Sequence, residues 1–377
     1  MSFELSRRTL LAGVGAGAVA SMAWSGLPAS AAPTSPAVST DGHVTFTFES
    51  GTASTVAVIG GWITGWPQAP VPMTQSSRGV WSVTVGPLAA DWYSYHFVVD
   101  GVDTRDPLNP NPVPSSASVC MFMVSGPETA FMEVRPVSHG TITPLDYLSA
   151  VTGSMRQATV YTPACYSKSK QYPLFVLMHG GGGDQWDWTV QGRANVILDN
   201  LIADGKIPPM VVVMPSVMLP GGLSAPLYSP RDDVLPGEIL DSLIPAVEKK
   251  YNVFSAHTKR ALAGLSMGGF YTWTTLLTRP GEFGWYGDFS SGWFPEGIAN
   301  LRGADSDLFD NQKINTKTKL HAIYCDPTDI AWPNNVATRS VFDDFGVDYT
   351  FTNQPGSQGH SWHTWRLNLL DFAPRIF

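Results

Sequence analysis

Arg260-Ala261-Leu262-Ala263-Gly264-Leu265-Ser266-Met267-Gly268-Gly269-Phe270-Tyr271-Thr272-Trp273-Thr274-Thr275-Leu276-Leu277 decides how the second half of this chain is built. Residues 260–263 read as a short buried strand. Residues 269–277 read as a helix that stops near Pro280. Between them, Gly264-Leu265-Ser266-Met267-Gly268 fits G-x-S-x-G, the nucleophile elbow, in the strand–turn–helix context that the motif requires. So sharp a turn leaves no room for a side chain at either flanking position, hence a glycine on each side. Ser266 is expected at the carboxyl edge of a sheet and the N-terminus of a helix, where developing negative charge is favoured.

The surrounding sequence repeats this strand–helix alternation. Residues 157–161, 173–178, 210–214, 260–263 and 320–324 are strand-like. A helix with Ile239, Leu240, Leu243, Ile244 and Val247 at core spacing precedes the elbow, and another carries Val336, Val341, Phe342 and Phe345. Alternation of this kind implies a doubly wound, mostly parallel sheet over residues 128–377. No internal repeat is evident.

A serine hydroxyl needs a base within hydrogen-bond reach, and the base needs a partner that fixes its tautomer. In chain order the acid follows the serine and the histidine comes last. Of the later histidines, His321 lies inside a strand and His363 starts or faces a helix. His360 follows the flexible run Gly356-Ser357-Gln358-Gly359 after a strand at 349–352, where a catalytic imidazole belongs. Asp326 and Asp329 both follow the strand 320–324; Asp329 is favoured, and Asp326 suits a turn-capping role before Pro327. Asp343 and Asp344 read as a solvated helix face. Two backbone N–H donors are needed for an oxyanion, one from Met267 and one from the loop His179-Gly180-Gly181-Gly182-Gly183. That loop lacks the G-K-[ST] ending of a phosphate loop.

The N-terminal third differs. Residues 44–48 alternate apolar and polar, and 54–59, 80–85 and 93–99 are further short strands between turn signals, the pattern of a β-sandwich over 42–127. A Pro/Ser/Thr-rich leader spans 32–41. Before it, Ser6-Arg7-Arg8-Thr9-Leu10-Leu11, the apolar run 12–23 and Ala29-Ser30-Ala31 read as a twin-arginine signal peptide over 1–31, an export address and not an anchor. The mature protein is therefore expected outside the cytoplasm, with no membrane association after the signal is removed. Formal charge is −8 over 377 residues; residues 1–31 carry +1 (Arg7, Arg8, Glu4), leaving −9. With no basic run, nucleic acid is a poor candidate partner. Charged residues make up only 14%, and 13 tryptophans suit a secreted protein that meets sugars. Of the three cysteines, Cys120, Cys165 and Cys325, none forms a C-x-x-C pair. A Cys165–Cys325 disulfide is possible, and no metal or organic cofactor is expected, since the chemistry is complete without one.

Two resemblances follow from these motifs. Gly61-Trp62, Gly79-Val80-Trp81-Ser82, 93–101 and Asp106-Pro107-Leu108-Asn109-Pro110 resemble the small immunoglobulin-like module that precedes the catalytic domain in branching and isoamylase-type enzymes. In that family the module binds α-glucan or only packs on its neighbour, so Trp62, Trp66 and Trp81 are either stacking platforms or core. The second runs from 139 to 377. It rests on Val160-Tyr161-Thr162-Pro163, His179 to Asp184 with Trp188, 199–203, 209–215, Gly264 to Gly269, and Gly359-His360-Ser361-Trp362 with Trp365. These pieces resemble carbohydrate esterase family one, the esterase-D-like feruloyl and acetyl-xylan esterase group. The resemblance implies an α/β-hydrolase fold and a serine esterase with triad Ser266, Asp329 and His360. It implies an oxyanion hole at Gly181 and Met267, and substrate contacts at Trp188, Trp362 and Trp365. One departure is Cys325-Asp326, where the family often has glycine. The expected substrate is a feruloyl or acetyl ester on polysaccharide, or a small ester. Two other readings share the sequence: an acyltransferase of the mycolyltransferase type, and a non-catalytic glycan-binding protein.

Overall fold

The computed structural model describes residues 35–63, 68–76, 78–220 and 229–377. The expected signal peptide, Trp66 and the first three residues of the leader lie outside the described residues; the rest of the leader is not a free linker, since Ala37 and Val38 pair with Thr45 and Val44. The N-terminal segment contains β1 (Ala37–Val38), β2 (Val44–Glu49), β3 (Val56–Gly60), β4 (Val71–Pro72), β5 (Thr74–Gln75), β6 (Val80–Val85), β7 (Asp91–Val99), β8 (Val102–Thr104) and β9 (Cys120–Val124). They form two antiparallel sheets, β1-β2-β6-β5 and β4-β3-β7-β8, with β9 paired to β7. Alternation along each strand sends one set of side chains inward. Val44, Phe46, Val58, Tyr95 and Phe97 fill the space between the sheets.

Of the two roles left open for these tryptophans, the packing places Trp81 in the core. Trp81 is buried in that core, with its indole N–H on the Ser50 carbonyl. Trp62 stacks on Phe46 at 5.2 Å and packs against the same cluster. Trp81 is wholly committed to this core, and Trp62, partly exposed, packs one side of its ring on it.

The larger part is built on β10 (Thr141–Leu148), β11 (Met155–Thr162), β12 (Leu174–Met178), β13 (Val211–Pro215), β14 (Arg260–Leu265), β15 (Trp285–Phe289), β16 (Leu320–Tyr324) and β17 (Thr350–Thr352). The sheet order is β10-β11-β13-β12-β14-β15-β16-β17. β10, β11 and β13 pair antiparallel, and the remaining neighbours are parallel. This is the expected doubly wound sheet, an α/β-hydrolase fold. Its central strands are apolar on both faces because helices cover both. Leu174, Val176, Met178 and Leu262 meet helices Ile244–Lys250 and Met267–Thr278. Phe175, Leu177, Ala261 and Ala263 meet helices Ala194–Ala203 and Trp362–Phe372. The second layer also takes in Trp92, Val113 and Met121 from the N-terminal sheets, so one apolar core runs through both parts. No helix among the described residues is long and apolar enough to cross a membrane.

Cys165 and Cys325 are both free, one exposed and one buried, so the possible disulfide is not formed. His321 sits fully within β16 and binds Asp288 at 2.8 Å, a buried structural pair.

Leu262 is wholly buried at the middle of β14, in register with Val176 on β12 and Tyr286 on β15. Leu262→Ala is expected to lower stability by about 2–5 kcal/mol through lost burial and the cavity left behind. Urea denaturation followed by tryptophan fluorescence measures it; a change near zero would mean that the strand is not central to the core.

Candidate active site

β14 ends at Leu265, and the helix Met267–Thr278 begins two residues later. Ser266 spans the gap at φ 50°, ψ −115°, a conformation that a serine adopts only when its surroundings enforce it. Here the Ser266 N–H donates to the Phe289 carbonyl of β15 at 2.8 Å, and its own carbonyl accepts from Phe270 N–H. A Cβ on Gly264 would lie 2.3 Å from the Gly268 carbonyl carbon, and one on Gly268 2.5 Å from the His179 carbonyl oxygen. Bare backbone at both positions is therefore a packing requirement, as the sequence suggests.

The structure brings Ser266, His360 and Asp329 together. His360 Nε2 is 3.0 Å from Ser266 Oγ, and its Nδ1 is 2.7 Å from Asp329 Oδ1. Gly359, at φ 60°, turns the chain immediately before His360 and packs against Thr328 of the acid's loop. Trp365 meets the His360 ring edge-on at 5.1 Å and fixes its plane. Asp329 is buried; burial raises its pKa. The His360 hydrogen bond and charge and the Ala331 N–H together outweigh burial, so the carboxyl sits below the usual carboxylate range. Asp326 instead accepts from the Thr328 N–H and hydroxyl, the turn-capping role read for it.

The glycine loop lies against the nucleophile. A Cβ on Gly180 would come within 2.7 Å of Leu265 Cδ1 and 3.2 Å of Ser266 Cβ. His179 anchors this loop: it is buried, its Nδ1–H donates to the Gly180 carbonyl, and its Nε2 accepts from the Val217 N–H. Burial holds this imidazole below its usual pKa, in keeping with that neutral tautomer.

Two cavities open beside Ser266 and His360. One, of about 150 Å³, is largely apolar, with Met267, Phe270, Phe294, Ile330 and Ala331 in its wall and Ser291 and Asn334 as polar points. The other, of about 240 Å³, is bordered by Gly180 to Gly183, Asp187, Gln191, Trp362, Trp365 and Ser115. Gly181 lines the second cavity and Met267 the first, both beside Ser266. Trp362 and Trp365 line the second cavity. Trp188 does not: it is buried with its indole N–H on the Met178 carbonyl, and supports the helix beneath the loop. Sequence reasoning missed Phe294, Ile330, Gln191 and Ser115, none of which belongs to a motif. Among the described residues, no group of His, Cys, Asp and Glu could hold a metal ion.

Residues 149–376 match the model of the family described as "Putative esterase". The chain belongs to this esterase family. It is 33% identical over 274 residues to an endo-1,4-beta-xylanase/feruloyl esterase of Xylanibacter ruminicola, covering 70% of this chain and 37% of that one. It is 29% identical over 133 residues to endo-1,4-beta-xylanase Y of Acetivibrio thermocellus, covering 32% of this chain and 12% of that one. The esterase therefore spans about a third or less of these relatives' length. Its fold is similar to that of a ferulic acid esterase from Anaeromyces mucronatus (TM-score 0.57, 21% identity, 67% of this chain and 96% of that one). It is also similar to that of an enterochelin esterase from Shigella flexneri (TM-score 0.62, 16% identity, 88% and 92%). The second likeness covers more of the chain than the α/β part can supply, so it reaches into the N-terminal sheets.

Asp329→Asn is expected to lower turnover by roughly three to four orders of magnitude, because the imidazole loses its tautomer and the imidazolium its counter-charge. Asp326→Asn should stay close to wild type. The substitution also bears on stability. The depressed pKa of Asp329 contributes stability above the unfolded carboxyl value of about 3.9, and this is lost as pH falls through the lower folded value. The wild-type advantage over Asp329→Asn in urea denaturation should therefore shrink below about pH 4. Equal activity losses in the two variants would reassign the acid.

Proposed function

We propose that the protein is a secreted serine esterase that releases aromatic acyl groups, feruloyl in the first instance, from sugar hydroxyls of plant cell-wall polysaccharide. The observation that carries the substrate class is the apolar cavity at the nucleophile. At about 150 Å³, edged by Phe270, Phe294 and Ile330, it far exceeds the need of an acetyl group and suits a flat aromatic ring. The feruloyl esterase named among the relatives supports the same class. The export address Ser6-Arg7-Arg8 supports action on an extracellular polymer.

Ser266, His360 and Asp329 act as the triad in this reading. Ser266 Oγ attacks the ester carbonyl while His360 Nε2 takes its proton. The N–H groups of Met267 and Gly181 receive the oxyanion, each donor contributing about 3 kcal/mol to lowering the barrier. The carbon–oxygen bond to the sugar then breaks, and His360 returns the proton to the leaving alkoxide. Water, deprotonated by the same His360, attacks the acyl-enzyme and releases the acid. Asp329 holds Nδ1–H throughout and stabilises the imidazolium.

Ser266→Ala should leave the fold intact and abolish hydrolysis of methyl ferulate, by several orders of magnitude, since triad members act as a unit. A variant that keeps a tenth of wild-type activity would overturn the assignment. In a panel of methyl ferulate, acetylated xylan and p-nitrophenyl esters of graded length, kcat/KM should be highest for the feruloyl ester. Preference for acetylated xylan would overturn the aromatic reading and leave the esterase standing.

A further inference from the structure

The glycine loop must hold its N–H groups still for an oxyanion, and a four-glycine run has little stiffness of its own. His179 anchors its start. Its far end runs into the short helix Asp187–Val190; two hydrogen bonds that fasten this helix come from the N-terminal segment, and a third reaches its C-terminal end from β7 through Arg366. Ser115, on the connection between β8 and β9, donates its hydroxyl to Asp187 Oδ1 at 2.9 Å. Trp92, on β7, donates its indole N–H to the Val190 carbonyl at 2.8 Å. Asp91 of the same strand accepts from Arg366 at 2.6 Å, and Arg366 donates to the Gln191 carbonyl at 2.8 Å.

Asp187 is where this bracket meets the loop. Its carboxylate is buried and takes four roles at once. Oδ1 accepts from Ser115 and from Gln191 Nε2, and Oδ2 accepts from the Asp184 N–H. Oδ2 also presses on the loop itself, since a Cβ on Gly183 would lie 1.9 Å from it. Rotation of this carboxylate therefore moves the backbone at 183–184, two residues from Gly181. Ser115 restrains that rotation from outside the α/β part.

We propose that the N-terminal β-segment is a working part of the catalytic centre, with Ser115 a positioning residue that holds the oxyanion loop through Asp187. The α/β sheet supplies the nucleophile, acid and base, while the N-terminal sheets set the stiffness of the loop that meets the oxyanion. The segment then matters for small soluble esters as much as for polymer. A tethered glycan-binding module would instead act on polymer alone, by raising local concentration. The proposal rests on Ser266 as nucleophile, which Ser266→Ala on wild-type background tests separately.

The test uses the full chain and methyl ferulate, with Ser115→Ala, Ser115→Thr and Trp92→Phe. Trp92→Phe keeps an aromatic ring, smaller than the indole, and removes the donor to Val190. Ser115→Ala should lower kcat about fivefold to tenfold with KM unchanged, and weaken binding of phenylboronic acid, a tetrahedral mimic on Ser266 Oγ, by the same factor. Ser115→Thr, which keeps the hydroxyl, should restore most of both. Trp92→Phe should shift kcat in the same direction. Unchanged kcat and boronate affinity in Ser115→Ala would overturn the proposal. So would a loss confined to KM, which would make Ser115 a substrate contact only, or a loss seen on feruloylated arabinoxylan but not on methyl ferulate.

Discussion

Everything at the site depends on one close approach, the backbone of Gly264 against that of Gly268. With 2.3 Å between a hypothetical Cβ and the neighbouring carbonyl carbon, no other residue at 264 lets the helix start where it does. That contact forces Ser266 to φ 50°, a conformation that costs on the order of 1–3 kcal/mol and persists only because β15 and the first helical turn over-determine it. The cost is offset by the apolar layers on both faces of β14. A strained nucleophile is affordable here because the strand that carries it is among the best packed in the molecule.

The other site residues reach Ser266 from separate loops at the carboxyl ends of parallel strands. Asp329 follows β16, His360 follows β17, and the glycine loop follows β12. Parallel register brings these ends to one edge, which is the physical reason that Gly180 and His360, 180 positions apart in sequence, line one cavity. Each loop has its own anchor: Gly359 against Thr328, Trp365 on the imidazole, and His179 between Gly180 and Val217.

The N-terminal sheets are joined to this edge by buried charge as well as by apolar packing. Asp91 accepts from Arg366 and pairs with His363, whose other ring nitrogen meets the Gly356 carbonyl in the loop that carries His360. Burial raises the Asp91 pKa, but the His363 hydrogen bond and the Arg366 charge outweigh it and keep the carboxyl below its usual range. Arg193 covers the face of Trp92 at 4.6 Å. A buried ion pair of this kind is a weak source of stability and a strong source of register, since any other docking would strand a charge.

Local pattern by itself determined much of this protein. The elbow was legible because a strand, two glycines, a serine and a helix must be contiguous, and the doubly wound sheet because its apolar periodicities are short-range. Leu320–Tyr324 and Val80–Val85 fall where alternation places them. The pairing of His360 with Asp329 could be expected from chain order, though only the turn at Asp326-Pro327-Thr328 shows why the nearer carboxylate is occupied elsewhere. What the tertiary structure alone decided is which tryptophans are buried and what walls the cleft. Trp81 and Trp188 are chemically fit to stack on a sugar, and no local signal tells a core aromatic from an exposed one; the closure of two sheets and the seating of one helix buried both. Ser115, Phe294 and Ile330 carry no motif, and they reach Ser266 only because separate parts of the chain pack on one another. Burial and long-range contact are properties of the assembled fold, whereas turn chemistry and periodicity are properties of neighbours in the chain.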